Sequence, residues 1–251
     1  MKASVLAVVV ALAAACSRGR PPVPILTYHS VSEASDGFTV GPQAFARQLD
    51  ALAASGFHTV TFREWLAHQD TGAPLPSSPI LLTFDDGYED AYSTVLPALR
   101  ARGMRACFFI TTSVVAPDAA HREVRAEDGV TRRYLVWPEV RALADAGMEI
   151  GSHGSSHDRL ADLDRPRVVE ELRKSKEQLE RDLGARIEVF AYPYNSVRRW
   201  IEPVVREQGY RAAVAGAVHG SADRFALYRI GVYRDTTSDA LLAEVRKSVP
   251  R

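Results

Sequence analysis

Short, almost continuously apolar runs alternate with amphipathic segments along most of this 251-residue chain. The run Pro79–Phe84 is the clearest of them, and it lacks the apolar–polar alternation of a strand that has one face in water. Segments with apolar residues at helical spacing, most of them ended by a glycine, lie between such runs. Apolar strands interleaved with helices predict a parallel sheet that is covered on both faces. The pattern leaves two architectures open, a (β/α) barrel and an open doubly wound sheet.

The same pattern predicts where the elements lie. The predicted strands are 25–28, 58–62, 79–84, 105–111, 148–151, 187–192, 210–215 and 227–232. The predicted helices are 42–55, 91–102, 137–146, 165–183, 198–208 and 238–247. Residues 70–79 and 112–135 interrupt the alternation, and their prolines, serines and charges predict surface insertions. For the second insertion the sequence allows two interpretations, a solvated loop and a lid over a substrate site.

The N-terminal residues predict the compartment of the protein. Lys2 precedes an apolar run that is too short to span a bilayer and is typical of a secretory signal peptide. The small residues before Cys16 resemble the processing site of bacterial lipoproteins, where this cysteine would carry the lipid. An ordinary signal peptide cut nearby is the alternative. We therefore expect a signal peptide over residues 1–15, a lipidated, proline-rich tether over 16–24 and a folded domain over 25–251.

Charge and cysteine content bear on partners and on stability. The 31 Lys and Arg residues balance the 31 Asp and Glu residues, so the chain lacks the positive charge of a nucleic-acid-binding protein, and we expect no nucleic-acid partner. Lipid, not basic charge, would attach the protein to a membrane. Cys16 and Cys107 are the two cysteines, and Cys107 lies in an apolar run that predicts a buried strand. A disulfide framework is thereby excluded, and a hydrophobic core must stabilise the domain.

Polar residues suited to metal binding and acid–base chemistry follow several predicted strands. In parallel βα folds, functional groups collect beyond the carboxyl ends of the strands. Asp85 and Asp86 follow one strand, and two adjacent carboxylates raise each other's pKa unless a cation neutralises them. His153 and His157 follow another strand, at a spacing that lets both imidazoles face one centre. One carboxylate with two histidines is typical of a catalytic zinc site, and the second aspartate is then free to accept a proton from water.

The sequence around these residues resembles a known family. The segments Leu82–Tyr88 and Ser152–His157 are similar to the first two motifs of the polysaccharide deacetylases, carbohydrate esterase family four, and the resemblance extends over about residues 24–248. It implies a single domain with a distorted (β/α) barrel and metal-dependent removal of acetyl groups from N-acetylated sugars. By this resemblance Asp85 is the general base. The implied metal ligands are Asp86, His153 and His157. The implied ion is Zn²⁺, with Co²⁺ or Ni²⁺ as alternatives.

A third motif of the family is matched in part. The residues around Tyr194 match the motif whose tyrosine donates its main-chain N–H to an oxyanion, a contribution commonly worth about 3–4 kcal/mol of barrier. Ala191 stands where the family has an arginine that orients the base, and Gly154 replaces the Ser or Thr that usually follows the first histidine. We expect Arg198, Arg199 or another residue to replace the missing arginine.

One subgroup of the family implies further roles. The segment Ile25–Val31 is similar to that of the exported poly-N-acetylglucosamine deacetylases of biofilm systems, in which the histidine of the first strand lies in the active site. By this resemblance His29 is the general acid for the departing amine, and a histidine bonded within the core is the alternative. Tyr88 and Tyr192 are candidates to stack on sugar rings.

Together these features predict a metal-dependent hydrolase that removes N-acetyl groups from an N-acetylglucosamine-containing exopolysaccharide or cell-wall glycan. We expect it to be exported and anchored through lipid in the cell envelope, facing the periplasm if the cell is Gram-negative. A polysaccharide-binding lipoprotein of the same fold, which lost turnover with the missing arginine, is the alternative. A second alternative is hydrolysis of a C–N bond in a substrate that is not a sugar.

Overall fold

The computed structural model of the protein describes residues 23–125, 130–216 and 224–248. The predicted signal peptide, the predicted lipidation site Cys16 and most of the predicted tether lie outside these ranges. Within them, each helix is too short or too polar to cross a bilayer. The division of the chain at residues 15 and 24 therefore stays a prediction.

The described chain consists of short strands and of helices that alternate with them. The strands are β1 Ile25–Tyr28, β2 Ser30–Val31, β3 Thr39–Val40, β4 His58–Thr59, β5 Pro79–Phe84, β6 Cys107–Ile110, β7 Glu123–Arg125, β8 Thr131–Arg133, β9 Glu149–Ser152, β10 Val189–Ala191, β11 Ala212–Ala215, β12 Leu227–Tyr228 and β13 Ile230–Gly231. The helices are α1 Pro42–Ala54, α2 Phe62–Thr71, α3 Leu96–Arg100, α4 Trp137–Asp145, α5 Arg165–Leu183, α6 Ile201–Glu207 and α7 Ser238–Ser248. A π-helical turn, Ala91–Val95, leads into α3.

A nine-stranded parallel sheet forms the centre of the fold. Its strands follow the order β12, β11, β10, β9, β6, β5, β1, β13, and β4 pairs with the beginning of β5. The strands β12 and β13 lie at opposite ends of this order, although in the chain only Arg229 separates them. The sheet therefore curls until its two ends almost meet. This confirms the distorted (β/α) barrel of a single domain and excludes the open doubly wound sheet.

The core is divided by the sheet into two clusters, because alternate residues of a strand face opposite sides. Leu81 of β5 and Phe109 of β6 belong to the smaller cluster, in the barrel interior. Leu82 and Phe108, one position along, belong to the larger cluster, which includes residues of the outer helices. The two-residue period that directs Leu81 inward also directs Asp85 inward. The interior is thus apolar at its amino end and polar at its carboxyl end.

Helix α2 is the main element that differs from the predicted ones. The sequence predicts a strand over 58–62, but β4 ends at Thr59 and α2 begins at Phe62. The backbone N–H of Glu64 donates to Thr61 Oγ1 (3.2 Å), and the carboxylate of Glu64 accepts from the N–H of Thr61 (2.8 Å), which is a capping box. Phe62 and Trp65 join the inner cluster, so α2 packs into the barrel interior. The Thr-x-x-Glu pattern was the sequence signal for this helix.

The described parts of the insertion, residues 112–125 and 130–135, lie beside the carboxyl end of the barrel. Strands β7 and β8 make an antiparallel pair within it. The N–H of Leu135 donates to the carbonyl of Gly87 (2.9 Å), which ties the insertion to the turn after β5. Arg122, whose side chain is 6% exposed, pairs with Glu139 at the start of α4 (2.9 Å). These contacts place the insertion next to the predicted site residues.

Candidate active site

The turn after β5 orients the two adjacent aspartates differently. Asp85 continues the strand into the barrel interior and is 3% exposed. Asp86 (φ +73°) and Gly87 (φ +85°) both adopt the left-handed conformation, so the chain turns sharply after Asp85. Aspartate tolerates this region better than most residues, and glycine adopts it without strain. The two carboxylates are therefore free to make different contacts.

The loop after β9 brings both predicted histidines to Asp86. The Nδ1–H of His153 donates to the carbonyl of Ala191 (2.8 Å), which leaves Nε2 as the nitrogen that faces Asp86. Oδ1 of Asp86 lies 3.3 Å from Nε2 of His153 and 3.2 Å from Nε2 of His157. One ligand atom from each of these residues lies within 4.8 Å of the others. The structure thus assembles the three predicted ligands.

The charges of this cluster favour positive charge at its centre. Burial raises the pKa of Asp86, but its hydrogen bonds with His153 and His157 outweigh burial and hold that pKa well below its usual value. Burial lowers the pKa of His153, but Asp85 and Asp86 outweigh burial and raise it. The positive charge can be carried by protons on the imidazoles or by a cation that displaces them.

The donor set and its spacing fit a divalent cation. A carboxylate oxygen and two imidazole nitrogens are ligands that zinc and its first-row neighbours accept. Bonds of ~2.1 Å at tetrahedral angles keep ligand atoms about 3.4 Å apart. The separations of 3.2 and 3.3 Å between Oδ1 of Asp86 and Nε2 of the two histidines are close to that value. We conclude that these residues could hold such an ion.

Glu171 of α5 holds the loop that carries the histidines. Its buried carboxylate accepts hydrogen bonds from the backbone N–H groups of Ser155 (3.0 Å) and Ser156 (2.9 Å), and from the Ser156 hydroxyl. A Cβ on Gly154 would lie 3.3 Å from Oε2 of Glu171, and Gly154 has a φ of +81°. A larger residue at position 154 would therefore disturb this contact. The loop is supported from α5 and not by a hydroxyl side chain at position 154.

Replacement of Glu171 by glutamine should weaken both zinc binding and the fold. The amide keeps one acceptor oxygen but turns an NH₂ group toward backbone donors. We expect zinc affinity to fall about 10- to 100-fold, as for other residues that orient metal ligands. We expect the free energy of unfolding to fall by about 1–3 kcal/mol, because a buried donor loses its partner.

Calorimetric zinc titration and urea unfolding measure these two effects. The matched control is Glu170→Gln, one residue away on the exposed face of α5, which should change neither quantity. Wild-type zinc affinity in Glu171→Gln would contradict the orienting role of Glu171.

Arg229 is the residue that holds Asp85. Its Nη1 lies 2.7 Å from Oδ1 of Asp85 and its Nη2 lies 2.7 Å from Oδ2, and both side chains are buried. Nη1 also donates to Oγ1 of Thr83 (3.3 Å). The positions suggested from the sequence, Arg198 and Arg199, are exposed. The signal that could have found Arg229 was an arginine inside an apolar strand pattern.

His29 follows β1 at the same edge of the barrel. Its Nδ1 is buried and has no hydrogen-bond partner among the residues that the structure describes. Strands β1 and β5 pair in parallel with Tyr28 opposite Phe84, and the N–H of Asp85 donates to the carbonyl of Tyr28 (3.0 Å), so His29 stands beside Asp85. Its ring centroid lies 5.3 Å from that of Phe38. The structure therefore brings His29 to the cluster of Asp85 and Asp86.

Tyr194 and Tyr88 border the cluster on different sides. Tyr194 has a left-handed backbone (φ +55°), and its ring, 51% exposed, lies 4.6 Å from the ring of His157. The guanidinium of Arg159 lies 4.1 Å from the centre of the Tyr194 ring. Tyr88 is partly buried and stacks on Tyr134 of the insertion at 5.2 Å. Tyr194 therefore presents an exposed ring beside His157, whereas Tyr88 packs against the insertion.

The expectation that Tyr192 stacks on a sugar is wrong. Its side chain is fully buried in the larger core cluster, against Phe190. Its hydroxyl donates to the carbonyl of Phe225 (2.9 Å). Successive side chains of a strand point to opposite faces of the sheet. Because Ala191 faces the barrel interior, its neighbour Tyr192 must face the opposite side.

Comparison of the chain with known proteins points to one family. Residues 72–213, more than half of the chain, match the family model described as polysaccharide deacetylase. YxkH of Bacillus subtilis (strain 168) is 25% identical over 213 residues, which are 84% of this chain and 71% of that protein. The poly-beta-1,6-N-acetyl-D-glucosamine N-deacetylase of Escherichia coli (strain K12) is 31% identical over 133 residues, which are 51% of this chain and 20% of that protein.

A solved structure shows the same fold. The Streptococcus pyogenes deacetylase PplD in complex with acetate superposes with a TM-score of 0.79 at 19% sequence identity, covering 92% of this chain and 100% of that one. At this level of identity the likeness concerns the fold. The aligned segment spans only a fifth of the length of the Escherichia coli relative.

Proposed function

Because this chain belongs to the polysaccharide deacetylase family, whose members are hydrolases of polysaccharide N-acetyl groups, we propose that it removes N-acetyl groups from an N-acetylglucosamine-containing polysaccharide. The observation that carries this proposal is the cluster of Asp86, His153 and His157, whose ligand atoms lie within 4.8 Å of one another. The buried pair of Asp85 and Arg229 stands directly beside it, with Asp85 Oδ2 3.9 Å from Nε2 of His153.

A divalent cation is the proposed cofactor, as is general for this family. Asp86, His153 and His157 would hold it, with Zn²⁺ first and Co²⁺ or Ni²⁺ as alternatives. When bound, such an ion supplies positive charge that polarises a carbonyl oxygen and lowers the pKa of water. The side chain of Glu171 keeps the histidine loop in the conformation that binding needs.

Asp85 is the proposed general base. Burial raises its pKa, but the Arg229 guanidinium and His153 outweigh burial, so the pKa of Asp85 lies below its usual value. The carboxylate is therefore ionised at neutral pH and able to accept the proton of the water that attacks the acetyl carbon. The two contacts with Arg229 fix its orientation.

His29 and Tyr194 are proposed to act on the two sides of the scissile amide. The main-chain N–H of Tyr194 would donate to the oxygen that becomes negative when water adds to the carbonyl carbon. When the C–N bond breaks, the imidazolium of His29 would give its proton to the sugar nitrogen, and the acetyl group leaves as acetate. The position of His29 beside Asp85, at the paired ends of β1 and β5, supports this role.

The similarity to the Escherichia coli poly-beta-1,6-N-acetyl-D-glucosamine N-deacetylase supports a polymer of this sugar as substrate. Tyr88 and Tyr194 are the proposed aromatic contacts at the mouth of the site. The sequence before residue 25 supports export and a lipid at Cys16, with the enzyme held in the cell envelope, on the periplasmic side in a Gram-negative cell.

Acetate release from N-acetylglucosamine oligomers tests the proposal. The purified protein should release acetate when zinc or cobalt is supplied, and removal of the metal with a chelator should lower the rate at least tenfold. Added zinc should restore it, since the three ligands remain in place.

Two results would contradict the proposal. Binding of the oligomers without release of acetate at any metal concentration would instead support the polysaccharide-binding lipoprotein. Release of acetate from acetylated peptides or small amides, but not from sugars, would show that the substrate is outside the polysaccharides.

A further inference from the structure

Two exposed aromatic side chains, neither of them assigned a role above, extend outward from His29: Phe38 beside it and Tyr233 beside Phe38. Phe38 is 57% exposed and Tyr233 is 48% exposed. The ring centroid of Phe38 lies 5.3 Å from that of His29 and 6.2 Å from that of Tyr233. The three rings thus form a continuous row that starts at the catalytic cluster. Neighbouring apolar groups left in water beside a catalytic cluster make this surface a candidate binding surface.

The loop that carries Phe38 is held by its own hydrogen bonds. The carboxylate of Asp36 accepts from the backbone N–H groups of Phe38 (3.0 Å) and Thr39 (2.9 Å), and from the hydroxyl of Thr39 (3.0 Å). The N–H of Arg234 donates to the carbonyl of Gly37 (3.1 Å), and its guanidinium donates to the carbonyl of Ala34 (2.5 Å). The loop of Phe38 is therefore fastened to the segment of Tyr233.

The position of Tyr233 follows from the closure of the barrel. Strand β13 pairs with β1 through Thr27 and Gly231, so Tyr233 comes two residues after this pair, as His29 does. A Cβ on Gly231 would lie 2.5 Å from the hydroxyl oxygen of Tyr233, so the ring lies directly over the glycine backbone. The N–H of Tyr233 donates to the hydroxyl of Thr236 (2.9 Å). Hydrogen bonds thus hold the backbone that carries both rings.

A cleft beside Tyr233 adds polar groups to this aromatic surface. It has a volume of about 410 Å³ and runs between the Phe38 loop and α7. Arg234, Asp235 and Thr236 line it together with Gly231. A flat aromatic face next to hydrogen-bonding side chains suits a pyranose ring, which has one apolar C–H face and hydroxyl groups around its rim.

We propose that Phe38 and Tyr233 form a stacking subsite for a sugar ring of the same polymer, adjacent to the ring that loses its acetyl group. This inference rests on the proposed function. The row from His29 to Tyr233 is continuous with the catalytic cluster, so a chain bound there has its next ring over these two side chains. Because hydrogen bonds already hold the backbone of this surface, binding loses little backbone conformational entropy. The subsite makes the enzyme prefer longer oligomers to short ones.

The dependence of turnover on oligomer length tests the subsite. For Phe38→Ala and Tyr233→Ala, the ratio of kcat/KM for a hexamer to that for a disaccharide should fall about three- to tenfold through the KM of the hexamer. Phe38→Trp should restore the ratio, because it returns an aromatic face. The control Tyr92→Ala removes another exposed tyrosine, from the helical turn before α3, and should leave the ratio unchanged.

Direct binding separates failure of the subsite from failure of the proposed function. If the wild-type protein releases no acetate, the hexamer affinity measured by calorimetry should still fall three- to tenfold in both alanine variants. The subsite is overturned if neither variant changes the ratio or the affinity, if both variants lower kcat equally at every length, or if the wild-type protein binds no N-acetylglucosamine oligomer.

Discussion

Replacement of Asp85 by asparagine is expected to lower the rate of acetate release by about 10²- to 10⁴-fold, the range that a general base commonly contributes. Asparagine has the same size and still offers Arg229 one oxygen acceptor, but it cannot take up the proton of water. Zinc affinity should change much less than the rate, because the three proposed ligands are other residues. The loss should appear in kcat.

Initial rates at saturating zinc, with zinc affinity and melting temperature measured in parallel, check this expectation. The control Asp50→Asn removes a carboxylate that meets Arg102 through two contacts (2.7 and 3.2 Å) on the exposed surface. It should leave all three quantities unchanged, because exposed ion pairs are screened by water. A zinc-loaded Asp85→Asn enzyme that keeps more than a tenth of the wild-type rate would show that another group is the base.

Replacement of Arg229 by leucine is expected to affect stability as well as rate. It leaves the Asp85 carboxylate buried without its partner, and loss of one member of a buried ion pair commonly costs about 3–5 kcal/mol. The carboxylate also loses the two contacts that orient it, so the rate should fall about 10- to 100-fold. The two effects share one cause, the unpaired charge.

The pH dependence of this variant gives a second, independent readout. In the wild-type protein, burial raises the pKa of Asp85, but Arg229 and His153 together lower it further. The pair therefore stabilises the fold above the unfolded pKa of about 3.9 and ceases to do so as the pH falls through the folded pKa. Without Arg229 the folded pKa rises, so the stability deficit should grow from low to neutral pH. The acidic limb of the pH–rate profile should move to higher pH.

Urea unfolding at several pH values and a pH–rate profile measure these shifts. Arg229→Lys should recover part of both losses, since it returns the charge but not the two-pronged geometry. The surface variant Arg102→Leu is the matched control. If Arg229→Leu unfolded like the wild-type protein and its rate profile stayed in place, Asp85 would not depend on this arginine.

Much of the candidate site could be predicted from the sequence. Asp85 and Asp86 directly follow an apolar run, and His153 begins the loop after another. In a parallel sheet, the residues that follow neighbouring strands meet at one edge. The position of each residue relative to its own strand was therefore enough to predict that these residues come together. The distorted barrel could be predicted because these segments resemble the motifs of a known family.

Other features were missed for identifiable reasons. Tyr192 follows the pattern of a strand-end aromatic, but the register of β10 turns it into the core. Helix α2 has only ten residues and contains polar as well as apolar ones, so its sequence does not show that Phe62 and Trp65 face inward. In both cases tertiary packing determines which side of the element is buried.

The sequence alone determined which residues stand at the ends of the strands and what chemistry they can perform, because strand period and motif spacing are local properties of the chain. Only the tertiary structure decided which distant residues join them. Arg229 meets Asp85, 144 positions away, and Tyr233 meets Phe38, because the sheet curls until β12 and β13 almost meet. Closure depends on contacts between elements far apart in sequence, and no local pattern encodes them.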